Sequence, residues 1–324
     1  MQIQTANGPI SASALGATLM HEHLVMALAG WDSDTSAPVR TTEDLVQRCV
    51  DRIEELKAGG FSSLLDPLPN DLGRDIELYA EVSARTGFNI LFATGIYNEH
   101  FAGPYWRFKL AWDPAGWEEY VASMYVRELT EGVGPSKVKP AVIKLAIGRN
   151  PESEFESKLI KAAATAANAT GAPIVAHTEG VGGDLLLDKL KALGVPAHHV
   201  IIGHSCGSPD KAYHRRIVEG GGYIGFDRFG INMIQRDEVR TDGLCSLLQD
   251  GYAQQVIVSH DCAFCQRGQM IPDDLHSDAM HFTRNIAPRL RERGISQSML
   301  DSIFKDNPRR YFCNESNPTI GGGI

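Results

Sequence analysis

No stretch of this chain approaches the roughly 18 consecutive apolar residues that a membrane helix needs. The first residues, MQIQTANGPISASAL, lack the charged start and apolar run of a secretory signal. Basic residues are outnumbered, 31 against 40 acidic, and a formal net charge of −9 argues against nucleic acid or an anionic membrane as a partner, because both select basic surface. The acidic residues are spread along the chain, so no charged tail stands out. Cysteine is sparse: Cys49, Cys206, Cys245, Cys262, Cys265 and Cys313 are scattered, unlike the framework of a disulfide-stapled secreted domain. A reducing cytoplasm is therefore the expected location. Also missing is a glycine-rich dinucleotide fingerprint after the first apolar run, which weakens an open, doubly wound nucleotide-binding sheet.

What is there is a repeated alternation. The opening reads as a hairpin, with Met1–Thr5 and Pro9–Ser13 flanking Asn7-Gly8. Eight short apolar runs follow: Gly16–Met20, Ser62–Leu65, Asn89–Thr94, Ala141–Ile147, Pro173–Ala176, Val200–Gly203, Tyr223–Phe226 and Val256–Ser259. They are continuous rather than alternating, as strands buried on both faces should be. Helix-like segments separate them: Thr42–Ala58, Asp75–Thr86, Gly116–Glu131, Glu152–Thr170, Gly183–Leu193, Pro209–Glu219, Thr241–Asp250 and Met280–Arg293. Thr42–Ala58 is the clearest, with Leu45, Cys49, Ile53 and Leu56 on one stripe, Thr42 as a candidate cap and Gly59-Gly60 as its end. The pattern predicts an α/β fold, a (β/α)8 TIM barrel with a short N-terminal hairpin. One domain over residues 1–324 is expected, with the hairpin at 1–14 and a loose, glycine-ended tail at 314–324. Two stretches, Tyr97–Gly116 and Cys262–Asp278, exceed simple connections and leave the C-terminal ends of strands, where barrel active sites sit.

Those strand ends carry chemistry. His21-Glu22-His23 follows the first run, and residues two apart in an extended chain project to one side, so both imidazoles can face one ion while Glu22 points away. An isolated pair of this kind is as readily two solvated or packed histidines. His177, His204 and Asp261 end the fifth, sixth and eighth runs, however, so four strand ends deliver nitrogen or oxygen ligands to one rim. That set suits zinc or a similar ion. Lys144 interrupts the apolar fourth run, where an unpaired ammonium is costly. It could run out to solvent, form a Schiff base as in a lysine-dependent aldolase, or be carboxylated by carbon dioxide into an anionic bridge. The surrounding histidines favour the last.

The segments GATLMHEHL, ATGIY, VIKLA, PIVAHTEG, IIGHSCGSPD, GFDRFG, VIVSHD and IFKDNPRRYF together resemble the phosphotriesterase-like family of the amidohydrolase superfamily, including its lactonases, from the hairpin to Phe312. The resemblance implies two divalent ions per chain, zinc first among zinc, manganese, cobalt and iron. His21, His23 and Asp261 would hold the more buried ion, His177 and His204 the more exposed one, and carboxylated Lys144 would bridge them. A hydroxide between the ions would attack an ester-like bond, with Asp261 accepting its proton. Tyr97 matches a tyrosine over the metals of the lactonases, and Arg228 matches the arginine of that branch. A small-molecule lactone is the first expected substrate, a phosphotriester the second, a carboxylic ester or amide the third, and a homodimer the expected assembly.

Departures lie mostly in the loops. Where relatives often carry an aspartate three positions after the sixth-strand histidine, this chain has Gly207, with Asp210 farther on. HFAGPYWRFKLAW and CAFCQRGQMIPDDLHSD, which build the pocket, differ from acyl-homoserine lactonases. Cys262-x-x-Cys265 reads as packing rather than redox chemistry, and His260 should face away from Asp261 into the wall. His100 and Glu179 could reach the pocket, though exposure to solvent is the simpler reading. His198, His199, His214, His276 and His281 read as surface or packing residues, while Trp106 and Trp112 either line an apolar pocket or pin the long loop.

Overall fold

A computed structural model describes residues 1–148, 152–270 and 278–316. The hairpin forms as expected: β1 (Gln2–Ile3) pairs antiparallel with β2 (Ile10–Ser11), with Gly8 at φ 95° in the turn. Beyond it lie β3 (Thr18–Leu19), β5 (Ser63–Asp66), β6 (Asn89–Ile96), β7 (Val142–Ala146), β8 (Ile174–His177), β9 (Val200–Ile202), β10 (Tyr223–Phe226) and β11 (Val256–Val258). They form one eight-stranded sheet, paired parallel in chain order, with β3 and β11 at its two ends. The helices α1 (Thr42–Ala58), α2 (Ile76–Thr86), α4 (Trp117–Glu131), α5 (Glu154–Thr170), α6 (Gly183–Ala192), α7 (Lys211–Glu219) and α8 (Asp237–Gln249) alternate with the strands. This is the expected (β/α)8 barrel, nearly closed.

The two ends of the sheet meet through a different set of bonds. The first strand is longer than the apolar run suggests: after β3 it resumes as β4 (Glu22–Met26), and the last resumes as β12 (Cys262–Gln266), paired parallel with β4. Between these halves, His21 N donates to Ser259 Oγ at 3.0 Å and Asp261 N to His21 O at 3.0 Å. The stretch expected to be a loop after the eighth strand thus begins as a strand; residues 271–277 of it, including His276, lie outside the described residues, as does the tail from 317.

Several boundaries differ for local reasons. Thr41, not Thr42, caps α1, accepting from Asp44 N while Asp44 reaches back to the Thr41 N–H in a reciprocal box. The expected loop 97–116 contains α3 (Pro104–Trp112), started by a proline at its first position. The seventh helix begins at Asp237 rather than Thr241, because Asn232 Oδ1 accepts from Asp237 N and the Asp237 carboxylate is tied to Gly230 N, Arg240 and His281. Met280–Arg293 is broken into a wide turn at Phe282–Ile286 and α9 (Ala287–Glu292), because Pro288 has no N–H for a regular helix. A helix that the sequence reading lacks, α10 (Gln297–Phe312), carries an internal Pro308 that disguises it. Among the described residues no helix is long and apolar enough to cross a membrane.

Two apolar layers fix the barrel. The larger fills the space between strands and helices. The smaller plugs the barrel bottom with Leu65, Leu91, Val142, Val175, Ile201, Tyr223 and Ile257, closed from below by Tyr311 and Phe312 of α10. The strand period of two then places Lys144 on the inward face above Val142, and His177 above Val175. Fully buried Asn307 ties α10 to the last strand, its Nδ2 donating to Ala253 O and Val256 O at 2.7 Å each. Asn307→Ala strands both carbonyls and should lower unfolding stability by about 1–3 kcal/mol, read as a shifted denaturant midpoint; Lys305→Ala, on the exposed side of α10, should not shift it.

Candidate metal centre

The eight residues singled out at the strand ends converge. Lys144 Nζ lies 3.3 Å from His21 Nε2, and Asp261 Oδ1 lies 3.6 Å from His21 Nε2 and 3.1 Å from His23 Nε2. The His204 ring stands 4.7 Å from that of His21 and 4.5 Å from that of His177. Arg228 Nε donates to Asp261 Oδ2 at 2.8 Å, and Tyr97 Oη sits 3.2 Å from His177 Nδ1. Among the described residues, His21, His204 and Asp261 form a group whose donor atoms all lie within 4.8 Å of one another. That set takes His204 from the pair expected at the outer ion, so the division of ligands implied by the resemblance is not the one that proximity alone picks out.

Two carboxylates missing from the sequence reading organise the cluster. Asp227, one residue past β10, places Oδ2 at 3.0 Å from His21 Nδ1 and Oδ1 at 3.1 Å from His204 Nδ1, and accepts the His204 N–H at 2.8 Å. Asp66, the last residue of β5, holds His23 Nδ1 at 2.9 Å and accepts the Leu24 N–H at 2.8 Å. Three rings are thereby gripped at Nδ1 and oriented by a buried acid, the arrangement that metal-ligating histidines use to fix tautomer and direction. Glycines make room for this: a Cβ on Gly225 would sit 2.7 Å from Asp227 Oδ2, and one on Gly203 2.6 Å from Ala176 O. His204 and Asp261 both adopt left-handed backbone, φ 61° and 55°, which non-glycine residues hold only where their surroundings over-determine it. In the sequence the signal was an acid directly after a buried apolar run, SSLLD and GFD, at the same rim as the histidines.

Burial and charge set the protonation states. Burial lowers His21 and His204 and takes His177 down to about 4, leaving neutral imidazoles able to ligate. Burial opposes ionisation of Asp261, but His204, Arg228 and the His23 hydrogen bond outweigh it and hold this carboxyl well below the usual range. His23 is different: burial would lower it, yet hydrogen bonds to Asp261 and Asp66 carry it up to about 9, so an ion at its Nε2 must displace a proton. Burial brings the Lys144 ammonium down to about 8. The donor set of imidazole and carboxylate fits a divalent ion of the zinc type.

The remaining candidates separate cleanly. Glu179 Oε1 lies 3.2 Å from His177 Nε2, so it enters the site. Half-buried Asp71, raised to about 6 by desolvation, accepts from Tyr97 N and Gly103 N and anchors the loop that carries Tyr97. Asp210 caps α7 at the surface, and Gly207 offers no side chain, so neither supplies a carboxylate next to Asp261. Trp112 is 79% exposed and stacked on Phe108, whereas Trp106 braces the loop by accepting from Trp117 Nε1. His100 is exposed beside Phe101, His281 pairs with Asp237, and His214 is buried against Ser205 O. Cys262 and Cys265 are buried, and the sulfur facing Cys265 is that of Cys49, 3.7 Å away.

A model of the phosphotriesterase family matches residues 1–312. The chain is 30% identical over 319 residues to a phosphotriesterase homology protein of Mycobacterium tuberculosis, covering 96% of this chain and 97% of the relative. It is 26% identical over 311 residues to an aryldialkylphosphatase of Saccharolobus solfataricus, covering 94% and 96%. The structure superposes on a mutant of a phosphotriesterase-like lactonase from Deinococcus radiodurans with a TM-score of 0.90 and 33% identity, covering 96% of this chain and 99% of that one.

Asp227→Asn leaves one acceptor oxygen for two imidazole Nδ1 groups. It should weaken divalent-ion binding by about 10–100-fold, measured by chelator titration with elemental analysis. Asp210→Asn, which keeps its helix cap, should bind as the wild type does; equal behaviour of the two variants would remove Asp227 from the centre.

Proposed function

The chain belongs to the phosphotriesterase family and is a hydrolase of that family, and on that premise we propose that it is a binuclear metal-dependent lactonase acting on a small-molecule ester. The observation that carries the binuclear reading is Lys144. Its amine is buried inside the barrel, lies against His21 Nε2, and among the described residues makes no ion pair. Burial makes an ammonium there costly, the acids Asp261 and Asp227 offset only part of that cost, and an amine lowered to about 8 is partly neutral near pH 7. A neutral amine adds to the carbon of carbon dioxide and loses a proton, giving a carbamate whose anionic oxygens suit two cations.

Two divalent ions, zinc first among zinc, manganese, cobalt and iron, would supply a lowered water pKa and a polarised substrate oxygen. His21, His23, Lys144, His177, His204 and Asp261 would hold them. Asp261 is held ionised beside Arg228, which supports it as the group that would accept a proton from water. Arg228 fixes the Asp261 carboxylate through Oδ2, leaving Oδ1 toward His21 and His23. Tyr97 Oη, kept neutral because burial raises its pKa, is a hydrogen-bond donor at the His177 side, where it can orient the substrate or its leaving oxygen. The Arg228–Asp261 pair with Tyr97 supports a lactone; the aryldialkylphosphatase among the relatives supports a phosphotriester as the second reading. Carboxylic esters and amides stand third, and we expect a homodimer.

The test is elemental analysis beside a hydrolysis screen of lactones, aryl esters, amides and a chromogenic phosphotriester, with and without chelator. About two ions per chain and chelator-sensitive lactone cleavage are expected. Activity indifferent to chelation would overturn the reading. Lys144→Ala should lose metal and activity, with partial rescue by short carboxylic acids. Covalent trapping of a carbonyl substrate on Lys144 by borohydride would point instead to a Schiff-base aldolase.

A further inference from the structure

Glu22 lies between His21 and His23 on the first strand and, by the period of two, projects to the opposite side. It is completely buried. Oε1 accepts from His260 N at 2.9 Å and lies 2.7 Å from His260 Nδ1, and Oε2 accepts from Cys262 N at 2.9 Å. The other ring nitrogen of His260 accepts from Phe282 N at 3.1 Å, which leaves Nδ1 as the protonated one. Glu22 therefore receives three donors, all from the two residues that flank Asp261. Between them, Asp261 holds its left-handed backbone and donates its own N–H to His21 O. At this point the chain leaves its pairing with β10 and takes up pairing with β4.

We propose that Glu22 is a positioning residue: by clamping both neighbours of Asp261 it keeps that turn left-handed and the Asp261 carboxylate against His21 and His23, so it sets the strength of divalent-ion binding without facing the cluster. The inference rests on the metal-centre reading above. Without the clamp, residues 260–262 relax toward ordinary extended backbone, and the Asp261 side chain leaves the rim. A glutamine has one accepting oxygen and one donating NH2 group, so it cannot serve both sides of the turn.

The experiment compares wild type, Glu22→Gln and His260→Asn, each stripped of metal and then loaded with zinc or manganese. The readouts are the chelator concentration that removes half the metal and the rise in melting temperature on loading. Both variants should need about 10–100-fold less chelator, and their rise on loading should be smaller than that of the wild type. A merely structural role would lower the metal-free and loaded melting temperatures equally and leave the rise unchanged; that result, or chelator resistance equal to wild type, overturns the proposal. If Glu22→Gln does not fold, His260→Asn carries the comparison, since it replaces the imidazole whose Nδ1 meets Glu22 Oε1 and leaves the two backbone donors in place. A wild-type protein that takes up no metal strikes the metal-centre reading itself, and shows before any variant is compared.

Discussion

Asp227 lies at the centre of an electrostatic problem: four histidines, a lysine, an arginine and several acids share a largely buried barrel mouth. Ionisable groups are stable in such a place only when each is paired and hydrogen-bonded. Asp227 touches rings from the first and sixth barrel strands and accepts a backbone N–H as well, so one carboxylate joins distant parts of the sheet. Asp66 repeats the device for His23, and Arg228 balances Asp261. The glycines at 203 and 225, the left-handed His204 and the inward register of Lys144 all accommodate this alternation of acid and base.

The same alternation explains what could be read from the sequence. Eight buried parallel strands leave continuous apolar runs, and a ligand placed directly after a run marks the rim, so the barrel and the convergence of His21, His23, Lys144, His177, His204 and Asp261 were visible. Asp66 and Asp227 sit in equivalent places but read as ordinary strand-end acids, because their role depends on partners from other strands. The eighth-strand extension was hidden for a related reason: β12 pairs with β4, a partner more than two hundred residues away, and nothing local in CAFCQ announces it. α10 was obscured by Pro308, which local propensity treats as a breaker although the helix is held by Tyr311, Asn307 and the barrel floor.

The loops obey a different logic. α3 buries none of its side chains, and its aromatic residues Tyr105, Phe108 and Trp112 stand exposed. What this segment does for the site is done by backbone, where Asp71 grips Tyr97 and Gly103 and thereby fixes the hydroxyl over His177. The exposed aromatics of α3 thus stand apart from the candidate site, while Tyr97 and Phe101, just ahead of the helix, face it.

The seam between the first and last strands also governs the order of assembly. His23 and Asp261 are separated by 238 positions, so one wall of the cluster comes from the start of the chain and the other from near its end. Contacts of such long range are formed late and slowly. On a ribosome the histidines of the first strand emerge long before their acid, and the ring has no complete donor set until the final strand arrives. An ion bound there, as proposed, would act as a clasp on the finished circle: at a hundredfold excess over its dissociation constant it would add about 2.7 kcal/mol to the closed state.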